Sequence, residues 1–478
     1  MAHPQHALPV TLSDGEIRPV VRAPAIERWS WALYDFANTI FSMNIATLYF
    51  SVWIVSDLGS NDLVYATANA AASLLVVAAI PVLGAISDAR RRRKPWVVGF
   101  TIASCLACAV IGILGQATLP FVGASLPHPE QLHVSVGALL PVLAVFVIAN
   151  FAYQAAQPFY NAMMPELVPV EEQGRLSGFG VAVGYVGSIV GVALVLPFFT
   201  GGLPPVVPKF SDGVNNALHA IIPFTASGGR VATFVPTGLL FLLFSLPLFF
   251  VCRDHNPAPR GTRVNWGKAF GDVRETITAA KRHPGALRFI ITSLVYQDAI
   301  GTIVSFMTLY AVRAVGFNKG SEITLFMVLT IPAIFGSYFY GHLVDRIGAK
   351  RSLNITLWIW VVLLGGMMAV TSQRAFWFVG LAIGLNFGGV NAIERPLLLS
   401  LIPDVEAGRY FSLMLLSARV AAVVGPLLWG VTTWALEGTI GTSLAYRAAV
   451  FVVAIMFVIS IAVLRGVPDR HSQRLRAA

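Results

Sequence analysis

Apolar runs of about twenty residues alternate with short polar turns along almost the whole chain. A helix crossing a bilayer needs about 20 mostly apolar residues. That length selects twelve runs. The first six are Trp31–Val55, Ala66–Ile86, Trp96–Leu114, Val136–Tyr160, Leu176–Phe198 and Val231–Val251. The second six are Phe289–Ala311, Thr324–Leu343, Leu353–Thr371, Phe376–Leu401, Phe411–Ala435 and Leu444–Leu464. Between the sets lies a polar stretch, Arg253–Arg288, which holds Pro257, Pro259 and Pro284. The pattern predicts an all-α membrane protein of twelve transmembrane helices in two six-helix halves, residues 29–252 and 289–465. A tail over residues 1–28, a linker over 253–288 and a tail over 466–478 complete it, with a surface helix expected at Trp266–Arg282.

Composition narrows the class. Only 12% of residues are charged and 56% are hydrophobic, whereas soluble domains carry roughly 25% charged residues. The formal net charge of +10 would suit nucleic acid if it sat on a polar domain. Instead the basic residues lie in loops between apolar runs. Of 33 Lys and Arg residues, 25 fall on the side of the two termini, 6 on the other side, with Arg447 at the mouth of the last span counted among them, and 2 deeper inside spans. That bias is the positive-inside signature, so both termini are expected in the cytoplasm. No apolar core precedes a small-residue cleavage site in the first 25 residues, so the first span is expected to act as its own membrane signal. Cys105 and Cys108 form a C-x-x-C inside an apolar helix, a setting for packing rather than redox or metal chemistry. Metalloprotease, P-loop and serine-elbow motifs are missing and the polar segments are too short for a catalytic domain, so no enzyme activity, cofactor or metal is expected.

The two halves repeat one another. Asp35, Thr39, Ile40 and Ser42 in the first span recur 263 residues later as Asp298, Thr302, Ile303 and Ser305. Gly84-x-x-x-Asp88 with a basic run that includes Arg92 and Arg93 recurs as Gly341-x-x-x-Asp345 with Arg346. Leu167-x-Pro169-x4-Gly174-Arg175 recurs as Leu401-x-Pro403-x4-Gly408-Arg409. Six helices per half return each repeat to the same side of the membrane. Such parallel repeats place a substrate site near the midplane between the halves.

Ionisable side chains cost about 2.5–3.5 kcal/mol each at the centre of a spanning helix. Apart from Arg447 at the mouth of the last span, five stand in the predicted spans: Asp35, Asp298, Glu394, Arg395 and Arg419. They are expected to face the bundle interior, either as ion pairs or as groups that bind substrate or carry a proton. Arginine suits a carboxylate or phosphate because its guanidinium stays charged and donates two parallel hydrogen bonds. Acid and base together fit a zwitterion. In the fourth span, Asn150, Gln154, Gln157 and Asn161 share one helical face, and in the tenth Asn391 stands one turn before Glu394 and Arg395. These polar faces line a cavity or join helices. Asn38, Tyr34, Tyr153, Tyr160 and Tyr296 are further candidates for the wall. Gly180-x-x-x-Gly184 and Gly187-x-x-x-Gly191 in the fifth span read as close packing between the halves.

The stretch Trp31–Asn38, WALYDFAN, resembles the opening signature of the "unknown major facilitator" permeases, which are related to fungal vacuolar amino-acid effluxers of autophagy. Tyr160–Leu167 (YNAMMPEL), Gly174-Arg175, Gly184-Tyr185-x-Gly187 and Gly425-Pro426 are similar to later signatures of the same family. The resemblance implies the major facilitator fold, solute transport, amino acids as a substrate class and a bacterial inner-membrane location. It also implies that Gly84, Asp88, Arg92, Arg93, Gly341, Asp345 and Arg346 form the superfamily's cytoplasmic gating loops. Two positions depart from the family pattern. Gln297 stands where asparagine is expected, and Glu394 is added ahead of Arg395. The expected partners are a small solute, protons and the lipid bilayer, not nucleic acid, and the protein is expected to be monomeric. Export of drugs or metabolites against protons, or a sensor that does not transport, stand as alternatives.

Overall fold

A computed structural model describes residues 9–11, 17–19, 22–60, 62–90, 92–118, 134–202, 212–214, 216–217, 228–255, 283–316, 322–403, 406–421 and 424–469. Among these residues the chain makes twelve helical crossings, as the apolar pattern predicts. α1 covers Ala25–Phe41 and continues through π-helical turns, Ser42–Tyr49 and Trp53–Asp57, about a short α segment, Phe50–Val52. The first half goes on with α2 (Asp62–Arg90), α3 (Lys94–Thr118), α4 (Val136–Leu167), α5 (Gln173–Thr200) and α6 (Phe234–Val251). The second half has α7 (Pro284–Tyr310), α8 (Glu322–Ile347), α9 (Ala349–Ala369), α10 (Gln373–Leu401), α11 (Ala407–Ala421), α12 (Val424–Ile440) and α13 (Thr442–Arg465). α11 and α12 together form the eleventh crossing. Eight of the helices are long and apolar enough to cross a membrane by length and composition alone.

The helices extend past the apolar runs at several ends. α1 starts six residues before Trp31 and α4 runs seven beyond Tyr160. Hydropathy marks the part of a helix that lies in lipid, whereas the backbone stays helical until a local signal stops it. For α4 that signal is Val168-Pro169, since the residue before proline is driven to extended backbone, here φ −147° and ψ 150°. In the N-terminal tail Pro9–Thr11 pairs antiparallel with Ile17–Pro19, a feature the apolar pattern does not signal. The expected surface helix at Trp266–Arg282 lies outside the described residues. The repeat reaches the backbone winding too, because α7 ends in π turns, Ala311–Val315, near the position equivalent to those of α1. Buried Cys108 donates its thiol hydrogen to the Phe234 carbonyl at 3.1 Å, and Cys105 is also buried and free, as packing residues should be.

The fifth-span glycines correct one expectation. A Cβ on Gly191 would meet Ile40 at 2.8 Å and one on Gly180 would meet the Asp35 carboxylate at 2.7 Å, so this face packs on α1 inside its own half. Thr39 reinforces the crossing by donating to the Gly184 carbonyl at 2.6 Å. The glycines that bring the halves together lie elsewhere. A Cβ on Gly178 would run into the Ser337 carbonyl, and one on Gly341 would stand 2.7 Å from the Gly174 carbonyl. α5 and α8 therefore touch backbone to backbone on the face where α1 starts and α13 ends, hereafter the terminal face. α2 and α4 meet α11 as well, and α5 meets α10.

Candidate functional site: a charged seam between the halves

Asp35 and Arg395 meet across the two halves. Asp35 projects from α1 and is buried. Arg395 Nη1 donates to Oδ2 at 2.8 Å and Nη2 to Oδ1 at 3.1 Å, a two-pronged pair in which both carboxylate oxygens are used. The guanidinium carbon also lies 5.5 Å from the ring centres of Trp31 and Tyr160. Those rings stack at 4.6 Å and are tied by two backbone hydrogen bonds, Trp31 Nε1 to the Tyr160 carbonyl and Tyr160 OH to the Trp31 carbonyl. The arginine is thus held by charge at its edge and by aromatic faces nearby. Cation–π contacts of this kind add about 0.5–2 kcal/mol according to desolvation.

Glu394 is the neighbour of Arg395 in sequence, yet it serves a different surface. One residue on an α-helix turns the side chain by about 100°, so Glu394 faces α7 of its own half. Its Oε1 accepts from Tyr296 OH at 2.6 Å, from Ser293 Oγ at 3.3 Å and from Gln297 Nε2. The two departures from the family pattern, Gln297 and Glu394, therefore touch each other. Asn391 lies one turn from Arg395 on the seam side and donates to Tyr185 OH on α5 at 2.9 Å.

Asp298, the repeat equivalent of Asp35, has no cationic partner among the described residues. Its Oδ2 accepts from the Gly425 backbone N–H at 2.7 Å, in the first turn of α12. The partial positive charge of a helix start suits a carboxylate there. Its Oδ1 is buried with no hydrogen-bond partner among the described residues. Gly425 has to lack a side chain, because a Cβ would stand 2.9 Å from that same oxygen. Both repeat aspartates thus pack against glycines of the fifth span in their half.

The polar face of α4 turns inward. Asn150 donates to Asn69 on α2 at 2.9 Å, and Gln154 donates to Asn150 at 3.1 Å. Gln154 Oε1, Gln157 Nε2, Asn161 Oδ1 and Asn38 Oδ1 are buried and unpartnered among the described residues. Phe41 stacks on Tyr153 and Tyr34 packs on Tyr160, which sets Asn38 at the height of Gln154 and Gln157. Buried amides are normally bonded, so this patch has spare capacity for a polar guest or water. Tyr34 is committed to Thr101, its OH 2.6 Å from that hydroxyl.

On the terminal face Asp345 bonds the start of α5. It accepts from the Gly174 and Arg175 backbone N–H groups at 2.9 and 3.0 Å and from Arg175 Nε at 2.8 Å. Arg93 is buried and pairs with Glu166 at 2.7 Å within its own half. Arg92 is exposed. The surroundings of Gly84 and the side chains of Asp88 and Arg419 lie outside what is described. Trp31, Tyr185, Gln297 and Gly425 were not marked as site candidates by intramembrane charge, although three of the four stand inside or beside the family signatures.

Twelve crossings in two repeated halves are the architecture of the major facilitator superfamily of membrane transporters. The family model described as "Vacuole effluxer Atg22 like" matches residues 61–474, and the chain belongs to that family. It is 24% identical to the uncharacterised MFS-type transporter YxiO of Bacillus subtilis over 93% of this chain and 95% of the relative. It is 26% identical to the multidrug resistance protein MdtG of Proteus mirabilis over 84% of this chain and 86% of the relative. Among solved structures, the Escherichia coli fucose:proton symporter FucP superposes with a TM-score of 0.65 at 15% identity, over 93% of this chain and 98% of FucP.

Proposed function

We propose that the chain is a secondary transporter that moves amino acids or related zwitterions by alternating access coupled to protons. The observation that carries this reading is the buried Asp35–Arg395 pair between α1 and α10. The halves close on the terminal face while that pair is made, and they separate there only after it parts. Removing one partner from a buried pair costs about 3–5 kcal/mol, since it strands a charge. Two replacements avoid that cost. A proton neutralises Asp35, and a substrate carboxylate takes its place on the two guanidinium nitrogens. The amides of Asn38, Gln154, Gln157 and Asn161 serve the remaining polar groups. Asp298 is the second proton-site candidate. Its single backbone donor leaves the other oxygen open to protonation.

Location in a bacterial inner membrane with both termini cytoplasmic is part of the same proposal and is supported by the charge bias of the loops. The terminal face is then the cytoplasmic one, Asp345 its latch, and the described state faces outward. A second reading, export of drugs or other amphipathic metabolites against protons, is favoured by the likeness to the multidrug resistance protein MdtG.

A thermal-shift screen separates the two. Purified protein is heated with amino acids, dipeptides, organic acids, sugars and lipophilic cations. A ligand at 100 times its Kd adds about 2.7 kcal/mol of apparent stability. The proposal expects amino acids to raise the melting temperature of the parent and to have no effect on Arg395→Ala. A shift with lipophilic cations or sugars and none with amino acids overturns the zwitterion site.

A further inference from the structure

Where α1, α5 and α8 meet on the terminal face, a pocket of about 310 Å³ opens outside the charged seam. Arg22, Arg28, Arg175 and His342 line it, with Glu172 as its acid. The charges do not cancel. Arg22 and Arg28 share Glu172, at 3.0 and 3.9 Å, and Arg175 pairs with Asp345. Three guanidinium groups therefore face two carboxylates. Arg28 Nε is buried with no hydrogen-bond partner among the described residues, so a donor in this wall is still to be satisfied. His342 donates from Nδ1 to the Tyr338 carbonyl at 3.0 Å, which leaves Nε2 on the other edge of the ring.

The opposite wall is aromatic. Trp29 and Phe179 pack edge to face at 4.4 Å, and Tyr338 adds a third ring. From there an apolar stripe continues along α8 toward the bilayer centre. Tyr338, Phe335 and Ile331 follow at spacings of three and four residues and are 54%, 67% and 46% exposed. Such spacing is one face of a helix, and at this depth only lipid covers it. Exposed Trp29 at the head of the groove is the residue type that anchors helices at headgroup level. A free anion would use the arginines and leave the stripe unused, whereas a phospholipid uses both.

We propose that this pocket binds the phosphate headgroup of an anionic phospholipid, with its acyl chain along the exposed face of α8. Basic pockets between membrane helices are suited to such headgroups. The bound lipid bridges α1 and α5 of one half to α8 of the other. Because Arg175 belongs to both the pocket and the Asp345 latch, occupancy favours the state closed on the terminal face.

The test places the full-length protein in nanodiscs of phosphatidylcholine alone, of phosphatidylcholine with phosphatidylglycerol, and of phosphatidylcholine with added inorganic phosphate. Melting temperature and lipid retention by native mass spectrometry are read for each. Phosphatidylglycerol should raise the melting temperature and remain bound, and inorganic phosphate should do neither. Arg22→Gln/Arg28→Gln should weaken phosphatidylglycerol binding on the order of 30-fold, at about 1 kcal/mol per basic residue. Arg22→Gln alone, at a side chain 56% exposed, keeps the fold intact and should show a smaller loss of the same sign. Equal stabilisation by phosphatidylcholine, an equal effect of inorganic phosphate, or unchanged affinity in both variants overturns the proposal.

Discussion

Arg395 shows how far one side chain depends on its surroundings. It is held by two hydrogen bonds to Asp35 and lies within reach of two aromatic faces, so removing it and removing the pair are different experiments. Arg395→Ala leaves Asp35 buried beside the rings with no counter-charge, and should lower stability by about 3–5 kcal/mol. Asp35→Asn/Arg395→Gln keeps hydrogen-bonding groups at both positions without net charge, and should recover most of that loss. Both should be inactive in transport. Melting curves with a transport assay check the pair, and a double variant as unstable as Arg395→Ala would show that the charge is not what matters. The existence of intramembrane charge was legible in the sequence, since each such residue is costly in lipid and stands out in an apolar run. Its pairing was not. Asp35 and Arg395 are 360 positions apart, and nothing local in either helix names the other. The same holds for Glu394, which adjacency would assign to Arg395 but which helical rotation assigns to Tyr296, Ser293 and Gln297.

α5 is the element of the first half that meets α8 and α10 of the second. One face packs its glycines on α1, and the first turns press Gly174 and Gly178 against α8 while the Gly174 and Arg175 amides bond Asp345. Small residues in the sequence announced close packing, but a helix has more than one small-residue face and the pattern alone did not say which partner each would take. We predict that Gly178→Val, which drives a side chain into the Ser337 carbonyl, shifts the protein toward the state open on the terminal face. Asp345→Asn should act in the same direction and more weakly, because the asparagine oxygen still accepts from one backbone amide. Labelling rates of cysteines placed at the rim of the terminal face read the shift. Faster labelling in both variants supports the latch, and parent-like rates in Gly178→Val would mean that α5 and α8 do not control access.

At the scale of the molecule, the twelve crossings and the two-fold repeat were readable because lipid imposes one length and one polarity on every span. The repeat of Asp35, Thr39 and Ser42 at Asp298, Thr302 and Ser305 reappears in three dimensions as two aspartates against fifth-span glycines. The halves nevertheless differ at the seam, where Asp35 meets an arginine and Asp298 a backbone amide. That asymmetry is why the proposal gives gating and proton coupling to the first aspartate. The most direct test is uptake of radiolabelled amino acids by proteoliposomes with and without an imposed pH gradient, for the parent and for Asp35→Asn. The account predicts gradient-driven accumulation by the parent and none by Asp35→Asn, with both proteins inserted to the same level. Parent-like accumulation and pH dependence in Asp35→Asn would contradict it.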